Sequence, residues 1–406
     1  MRVLAVNCGS STLKFKLVEV GPTTRTLAGG VVERIGDENS SLGLDVKGIV
    51  FDQPIVAPDH EAAVLAVLDR LGSAELPAPE SFGHRVVHGG DWFAGPAVID
   101  GEVMSHIEAL GELAPLHNGP SLAAIRASLR ETSPPVPMVA VFDTAFHRTM
   151  PQSASLYPIP RELSEKHGIR RYGFHGTAHG CMVERYCAIT ATPAEETRLI
   201  TLQLGNGCSA AAVSRGRSVD TSMGFTPLEG LMMGTRSGSV DPSLVGFLAR
   251  REGVDASEVE GWLNRRSGLL GISGTSRDVR ELLDAEEDGD ESAALALEMF
   301  CGRVRKQIGA YLATLGGANA VVFGGGIGEN ASPIRERVLA GMGWCGLHLD
   351  PERNTDAVGV EGRISTEDSK LHAYVVSVDE EIEIARETAR LLGARAENGG
   401  QRESPS

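Results

Sequence analysis

Apolar runs in this chain are short and end abruptly in small polar residues. Val3–Val6 is an unbroken apolar run, which predicts a strand buried on both faces. Phe15 and Leu17 alternate with Lys14, Lys16 and Glu19, which predicts a second strand with one wetter face. Between them lies NCGSST, a turn rich in backbone N–H groups and hydroxyls. The pattern returns as RLITLQLGNGCSAAAVSRGRSVD over 198–220, and Asn7 and Asn206 stand 199 residues apart, about half the chain. Two strand–turn–strand units at that distance predict two domains of one design.

Four more apolar runs end in polar residues. VPMVAVFDTAFH stops at Asp143, and FGHRVVHGG over 82–90 stops at a glycine pair. ANAVVFGGGIGEN stops in a glycine turn, with Ser332 and Pro333 reading as the cap and first residue of a helix. HAYVVSVDEEIEIARETARLL passes from a strand through Asp379, Glu380 and Glu381 into a helix. DHEAAVLAVLDRLG, PSLAAIRASLRE, SEVEGWLNRRSG and SAALALEMFCGRVRKQIGAYLATLGG carry apolar residues at helical spacing. Strands and helices mix throughout, so the class is α/β, where ligands bind just past the carboxyl ends of strands.

Length and composition narrow the partners. A chain of 406 residues suits about two domains. Its 49 glycines point to many tight turns or ligand loops. A net charge of −16 argues against a general nucleic-acid binder, although a local basic cluster can still hold phosphates. MRVLAVNCG does not read as a signal peptide, and no stretch approaches the ~20 apolar residues of a membrane span. The six cysteines lack C-x-x-C spacing and read as thiols in a reducing cytoplasm. The polar tail after Leu392 reads as frayed.

Several chemistries are absent from the sequence. There is no G-x-x-x-x-G-K-[ST], no G-x-S-x-G, and GGGIGEN is not G-x-G-x-x-G. HRVVH spaces His84 and His88 as a zincin would, but Arg85 stands where the catalytic Glu belongs. What remains is three phosphate-type turns: NCGSST, LGNGCS and GGGIGEN. Each alone could be a polar turn that binds nothing. Together, at strand ends, they point to a nucleotide. Arg85 and Arg236 sit among small and apolar residues, where a guanidinium needs an anion, either a substrate or a structural carboxylate. His117 and His175, in LAPLHNGP and RRYGFHGTAHG, are either ligand-facing or hydrogen-bonded core residues.

These motifs carry a family resemblance. VNCGSSTLKF, GHRVVHGG, LAPLHN, VFDTAFHRTMP, YGFHGTAH, LGNGCS, TSMGFTPLEGLMMGTRSGSVDP, GGGIGEN and DEEIEIARET, in that order from about Met1 to Leu392, resemble the acetokinase (acetate kinase) family. That family belongs to the superfamily of acetate and sugar kinases, heat-shock chaperone ATPases and actin. The resemblance implies two similar actin-like ATPase (ribonuclease H-like) domains, 1–147 with 382–406 and 148–381. It implies an interdomain cleft that closes to exclude water, and a homodimer. It implies reversible transfer of a phosphoryl group from ATP to acetate, giving acetyl phosphate and ADP, with Mg²⁺ or, in its place, Mn²⁺.

By match to the family, Arg85 holds the acetate carboxylate, and Arg236, His175 and His117 stabilise the phosphoryl group. Asp143 is the essential carboxylate that orders Arg85. Val87, Leu116, Phe174 and Pro227 enclose the methyl. Asn7 and Glu380 hold the metal. Ser10, Thr12, Lys14, Gln203, Leu204, Gly205, Asn206, Gly207, Asp278, Val279, Arg280, Gly326, Ile327, Gly328, Glu329 and Asn330 surround the nucleotide. Pyrophosphate-using relatives block the adenosine pocket with bulkier residues, and Gly326–Ile327 leaves it open.

The sequence departs from the family pattern at a few positions. Gln203 replaces a usual histidine, which puts the strength of γ-phosphate binding in question. Thr12 replaces a common serine. Cys208 replaces a serine or alanine and adds an oxidation site. SVDEE replaces PTNEE, keeping Glu380 and adding Asp379. Two other readings share these features. One is a propionate or butyrate kinase, since an extra methylene changes binding by only about 1–3 kcal/mol. The other is a non-catalytic ATP-driven conformational module.

Overall fold

The computed structural model describes residues 1–112, 115–132 and 134–400, and the side chains of 112–117 and 396–400 fall outside that description. Leu116 and His117 therefore lie outside the described side chains. The chain forms two compact units, Met1–Ala145 with Asp379–Ser406, and Phe146–Val378. The boundaries differ by two or three residues from 147/148 and 381/382, and Asp379–Glu381 fall in the first unit rather than the second. Side-chain bonds explain the shift: Lys16 pairs with Asp379, and Asn7 bonds both Glu380 and Glu381.

The first unit is built on eight strands: β1 (Arg2–Cys8), β2 (Thr12–Glu19), β3 (Arg25–Glu33), β4 (Ser41–Val46), β5 (Ile49–Pro54), β6 (Ser81–Val86), β7 (Ala97–Val98) and β8 (Met138–Phe142). They lie in the order β5-β4-β3-β2-β1-β6-β8-β7. β1 pairs antiparallel with β2 but parallel with β6, which pairs parallel with β8. β1 is buried on both faces, as its apolar run predicts. Leu4 and Val6 pack with Phe15, Phe82 and residues of the helices His60–Ser73 and Pro115–Glu131. Val3 and Ala5 pack on the other side with Ile384 and Ala385 of the C-terminal helix, Glu380–Gly400. That helix lies close on β6 because residue 83 is glycine: a Cβ there would sit 2.4 Å from Thr388 Oγ1 and 2.7 Å from Ile384 Cγ2.

The second unit repeats the plan with β9 (Arg198–Leu204), β10 (Cys208–Ser214), β11 (Arg217–Thr221), β12 (Ala320–Gly324), β13 (Gly362–Arg363) and β14 (His372–Val375). The order is β11-β10-β9-β12-β14-β13, with β9, β12 and β14 parallel. Helix Gly176–Thr190 covers one face through Met182, Val183 and Tyr186. Helix Glu291–Leu315, closed by Gly316 in the left-handed region, lies along β9 and β10. In both units the central strands share one core order: two antiparallel neighbours on one side of the first strand and two parallel ones on the other. This is the actin-like arrangement. Asn7 lies at the carboxyl end of β1, and Asn206 follows the end of β9.

Three local expectations need correction. Helix Ser332–Leu339 takes Ala331 at its cap position, with no side-chain cap, so Ser332 is the first helical residue. The helix expected from Pro120 starts at Pro115 and carries Pro120 inside it. The C-terminal helix runs on to Gly400, past Leu392, where a frayed tail was expected. No helix among the described residues is long and apolar enough to cross a membrane.

Candidate active site

Three parallel strands of the first unit deliver Asn7, Arg85 and Asp143 to one edge. Val6 lies opposite His84, Arg85 lies opposite Val141, and the Asp143 amide closes on Val86 O at 3.1 Å. Arg85 Nε donates to Asp143 Oδ1 and Oδ2 at 3.0 and 3.1 Å, Nη2 donates to Oδ2, and Nη1 donates to Asn7 Oδ1 at 2.9 Å. A guanidinium has five N–H groups. These bonds leave one N–H on Nη1 and one on Nη2, donors of the kind that hold a carboxylate. Burial alone would lower the Arg85 pKa. The charges of Asp143, Glu380 and Glu381 outweigh it and raise the value, so Arg85 stays a cation.

Asn7 Nδ2 donates at 2.9 Å to both Glu380 Oε2 and Glu381 Oε1. Burial, then the Glu380 charge, pushes the Glu381 carboxyl up. Lys16, rather than Lys14, forms the ion pair with Asp379, while Lys14 projects into solvent. Ser10 and Thr12 lie in the turn, where Gly9 N donates to Thr12 O at 2.8 Å. Val87 is buried beside this group.

The second unit gathers Phe174, His175, Asn206, Gly207, Pro227 and Arg236. Arg236 Nη1 donates to Pro227 O at 3.2 Å. A Cβ on Gly207 would meet His175 Cε1 and Nε2 at 3.3 Å and Arg236 Nη1 at 3.7 Å, so this glycine is the floor beneath both. A Cβ on Gly234 would strike Asn206 Oδ1 at 2.4 Å. His175 stands at the start of helix Gly176–Thr190 with φ of 57°, a left-handed conformation that side chains seldom adopt. Its Nδ1 meets Ser209 Oγ at 2.9 Å, so Nε2 is the nitrogen turned toward Gly207. The same hydroxyl meets His179 Nε2 at 2.8 Å, and His179 Nδ1 meets Thr201 Oγ1 at 2.8 Å. Burial, with the charges of His147 and His175, holds His179 well below its usual range and therefore neutral. Arg171 braces the segment that carries Pro227. Its Nη1 reaches the carbonyls of Thr221, Ser222 and Met223, and its Nη2 reaches Glu229 Oε1 at 2.6 Å.

A cavity of about 670 Å³ opens at the carboxyl ends of β9 and β12. Gly205, Asn206, Asp278, Val279, Arg280, Gly326, Ile327 and Asn330 line it, with Arg277, Leu283, Ala331 and Pro333. Asp278 caps the helix that starts at Val279 and pairs with the exposed Arg280. Leu204 is fully buried, and Gly328 lies against Phe323 and Leu204. Gln203 Oε1 is buried with no hydrogen-bond partner. Glu329 Oε1 accepts from Gly325 N at 3.0 Å and Val378 N at 3.1 Å, so it ties the turn down from outside the cavity lining. The Cys208 thiol is fully buried on Gly205 O, and burial pushes its pKa up to about 12. Such burial and a raised pKa disfavour the reactive thiolate, which counts against the oxidation site expected from its replacement alone.

The family model described as the acetokinase family matches residues 2–386. The chain belongs to the acetokinase family. An acetate kinase of Bacillus cytotoxicus is 46% identical over 96% of this chain and 98% of its own. One of Carboxydothermus hydrogenoformans is 48% identical over 97% and 99%. Among solved structures, acetate kinase of Porphyromonas gingivalis superposes with a TM-score of 0.89 at 42% identity, covering 96% of this chain and 99% of its own. A propionate kinase of Francisella tularensis superposes with a TM-score of 0.89 at 38% identity, covering 95% and 98%.

Acetokinase membership removes the reading as a non-catalytic module. Sequence reading overlooked Ser209, His179 and Glu381 in this family's site. His179 had a legible signal: it lies four residues beyond His175, on the same helical face. Ser209 ends the LGNGCS motif and lies in β10; the sequence marks that turn but not the two histidines that share its hydroxyl.

Proposed function

We propose that this chain catalyses reversible, in-line phosphoryl transfer from ATP to acetate, giving acetyl phosphate and ADP. The observation that carries this reading is the Arg85 fork, fixed by Asp143 and Asn7 with two N–H groups still to offer. The names of the 46–48% identical relatives support acetate as the acceptor. Such a transfer demands alignment and positive charge more than covalent chemistry. In the first unit Arg85 aims one acetate oxygen. Arg236 and His175 Nε2 meet the charge on the equatorial oxygens, with Gly207 leaving them room. The 670 Å³ cavity takes the nucleoside.

The residues also fit Mg²⁺. Mg²⁺ takes hard oxygen ligands and keeps waters and phosphate oxygens as most of its shell. Glu380 and Glu381 converge on one amide, and hard oxygen donors of that kind would hold the ion with Asn7. When bound, Mg²⁺ neutralises charge on the phosphates. Cytoplasmic location and a homodimer belong to the same proposal. Free thiols at Cys8, Cys187, Cys208, Cys301 and Cys345 support the first. Light scattering at twice 42.9 kDa would support the second.

Hydroxylamine trapping of acyl phosphate from ATP, Mg²⁺ and each of acetate, propionate and butyrate tests the reaction. Signal strongest with acetate and falling with chain length is the expected result. Signal rising with chain length would move the substrate to propionate, a reading favoured by the propionate kinase neighbour of equal TM-score. No signal with any acid would overturn the proposal.

A further inference from the structure

Arg335 heads the largest fully buried side chains, yet among the described residues its hydrogen bonds go to neutral acceptors and reach no carboxylate. Nε donates to Asn354 Oδ1 at 2.8 Å, and Nη2 donates to Asn354 O at 2.6 Å. Nη1 donates to Gly328 O at 2.9 Å and Glu329 O at 2.8 Å. Burial among neutral acceptors draws its pKa down to about 10. Buried guanidinium groups usually have an anion, and an apolar side chain would fill this space without desolvating a charge. Stability alone therefore does not account for arginine here. What it grips does.

The two gripped carbonyls belong to helix Gly325–Asn330, whose Gly326, Ile327 and Asn330 line the cavity. Within the segment, Glu329 Oε1 accepts from Gly325 N and Asn330 Nδ2 donates to Gly326 O, and the rest of its hold comes from outside. It is six residues long, has no side-chain cap, and starts with Gly325 at φ 76°. So short and glycine-rich a turn is not stable alone. Asn354 completes the bracket: it is 2% exposed, and its Nδ2 donates to Ser332 O at 3.0 Å, just beyond the lining residue Ala331.

We propose that Arg335 and Asn354 are positioning residues that set nucleotide affinity, holding segment 325–332 in the conformation that lines the cavity. They act through the main chain and touch no nucleotide. The inference rests on the nucleotide reading of this cavity.

The test compares Arg335→Met, Arg335→Lys and Asn354→Ala with the parent chain. Calorimetry gives the Kd for ADP. Steady-state kinetics give kcat and the KM for ATP and for acetate, and melting gives stability. The expected result for Arg335→Met is an ADP Kd and ATP KM raised about tenfold, with acetate KM and kcat within about twofold, as lost preorganisation predicts. Arg335→Lys should recover part of this, because an ammonium reaches one carbonyl, and Asn354→Ala should show the same split more weakly. If Arg335→Met does not fold, Asn354→Ala decides by the same split. A lower Tm with parental ADP Kd and ATP KM would overturn the inference and leave Arg335 a core plug. A parent chain that binds no ADP would overturn the nucleotide reading and the inference together.

Discussion

Asp143→Asn removes one charge and keeps the side-chain shape. Arg85 approaches this carboxylate through Nε at 3.0 and 3.1 Å and through Nη2, and the Asp143 side chain has no exposed surface. In the variant one oxygen becomes an NH₂ facing N–H donors. At least one charge-assisted bond is lost, about 1.5–3 kcal/mol, and its partner cannot turn to water. The nearest remaining carboxylate is Glu380, with Oε2 3.8 Å from Arg85 Nε, so the fork rotates toward it and away from the aim that acetate needs. A loss near 3 kcal/mol is about 100-fold in rate. Acyl-phosphate trapping at saturating ATP should show kcat/KM for acetate falling about 100-fold while the ATP KM stays within about threefold. The double variant Arg85→Lys/Asp143→Asn should lose much less than the two single losses combined, since both break one unit. Unchanged acetate kinetics, or fully additive losses, would refute the assignment.

Ser209→Ala takes the shared hydroxyl from His175 and His179, and kcat should fall at least about tenfold with a lower Tm, each lost bond costing about 1–3 kcal/mol. A parental kcat would remove Ser209 from the site. Gly83→Ala drives a Cβ to 2.4 Å from Thr388 Oγ1 and should destabilise the first unit by about 1–3 kcal/mol, measured by denaturant melting. Burial depresses His84 to about 3 and His147 to about 4, so the unfolded chain takes up their protons first. That stability is whole above the unfolded pKa near 6.5 and is lost as pH falls toward 4, by up to about 1.4 kcal/mol per histidine per pH unit. Tm should drop between pH 6.5 and 5, and His84→Gln should flatten the drop; a flat profile in the parent would contradict it. Alkylation of the native protein should label the half-buried Cys187 and Cys345 and spare buried Cys8 and Cys208, with peptide mass spectrometry as the readout.

Two strands that carry chemistry were legible as apolar runs ending at an amide or carboxylate, Asn7 and Asp143, and Arg85 showed as a lone cation inside the run that stops at Gly89–Gly90. Strands β3–β5 were not. β5 leaves Ile49, Val50 and Phe51 exposed, so no alternation marks a buried face, and β3 is interrupted by Gly29 and Gly30. Arg335 was hidden for a related reason. It lies in SPIRERVL beside Glu336 and Arg337, where a charged cluster on a short helix reads as a solvent face. Only the contacts of the folded helix separate the inward arginine from its outward neighbours. Glu381 was masked by Glu380, since adjacent identical residues give no hint that one is buried and raised in pKa.

The first unit is closed by the two ends of the chain, and that sets an order of birth. Asn7 is made long before its partners Glu380 and Glu381, which lie 373 and 374 residues downstream. At roughly 5–20 residues per second, Asn7 waits roughly 20–75 seconds for them. The unit Phe146–Val378 is contiguous and is synthesised whole before then. Until the last helix emerges, Val3, Ala5, Val139 and Val141 lack the Ile384 and Ala385 that cover them. The nascent protein therefore carries a complete second unit while the sheet of the first is still open and sticky. A chain released before the helix Glu380–Gly400 is made should be inert and prone to aggregate.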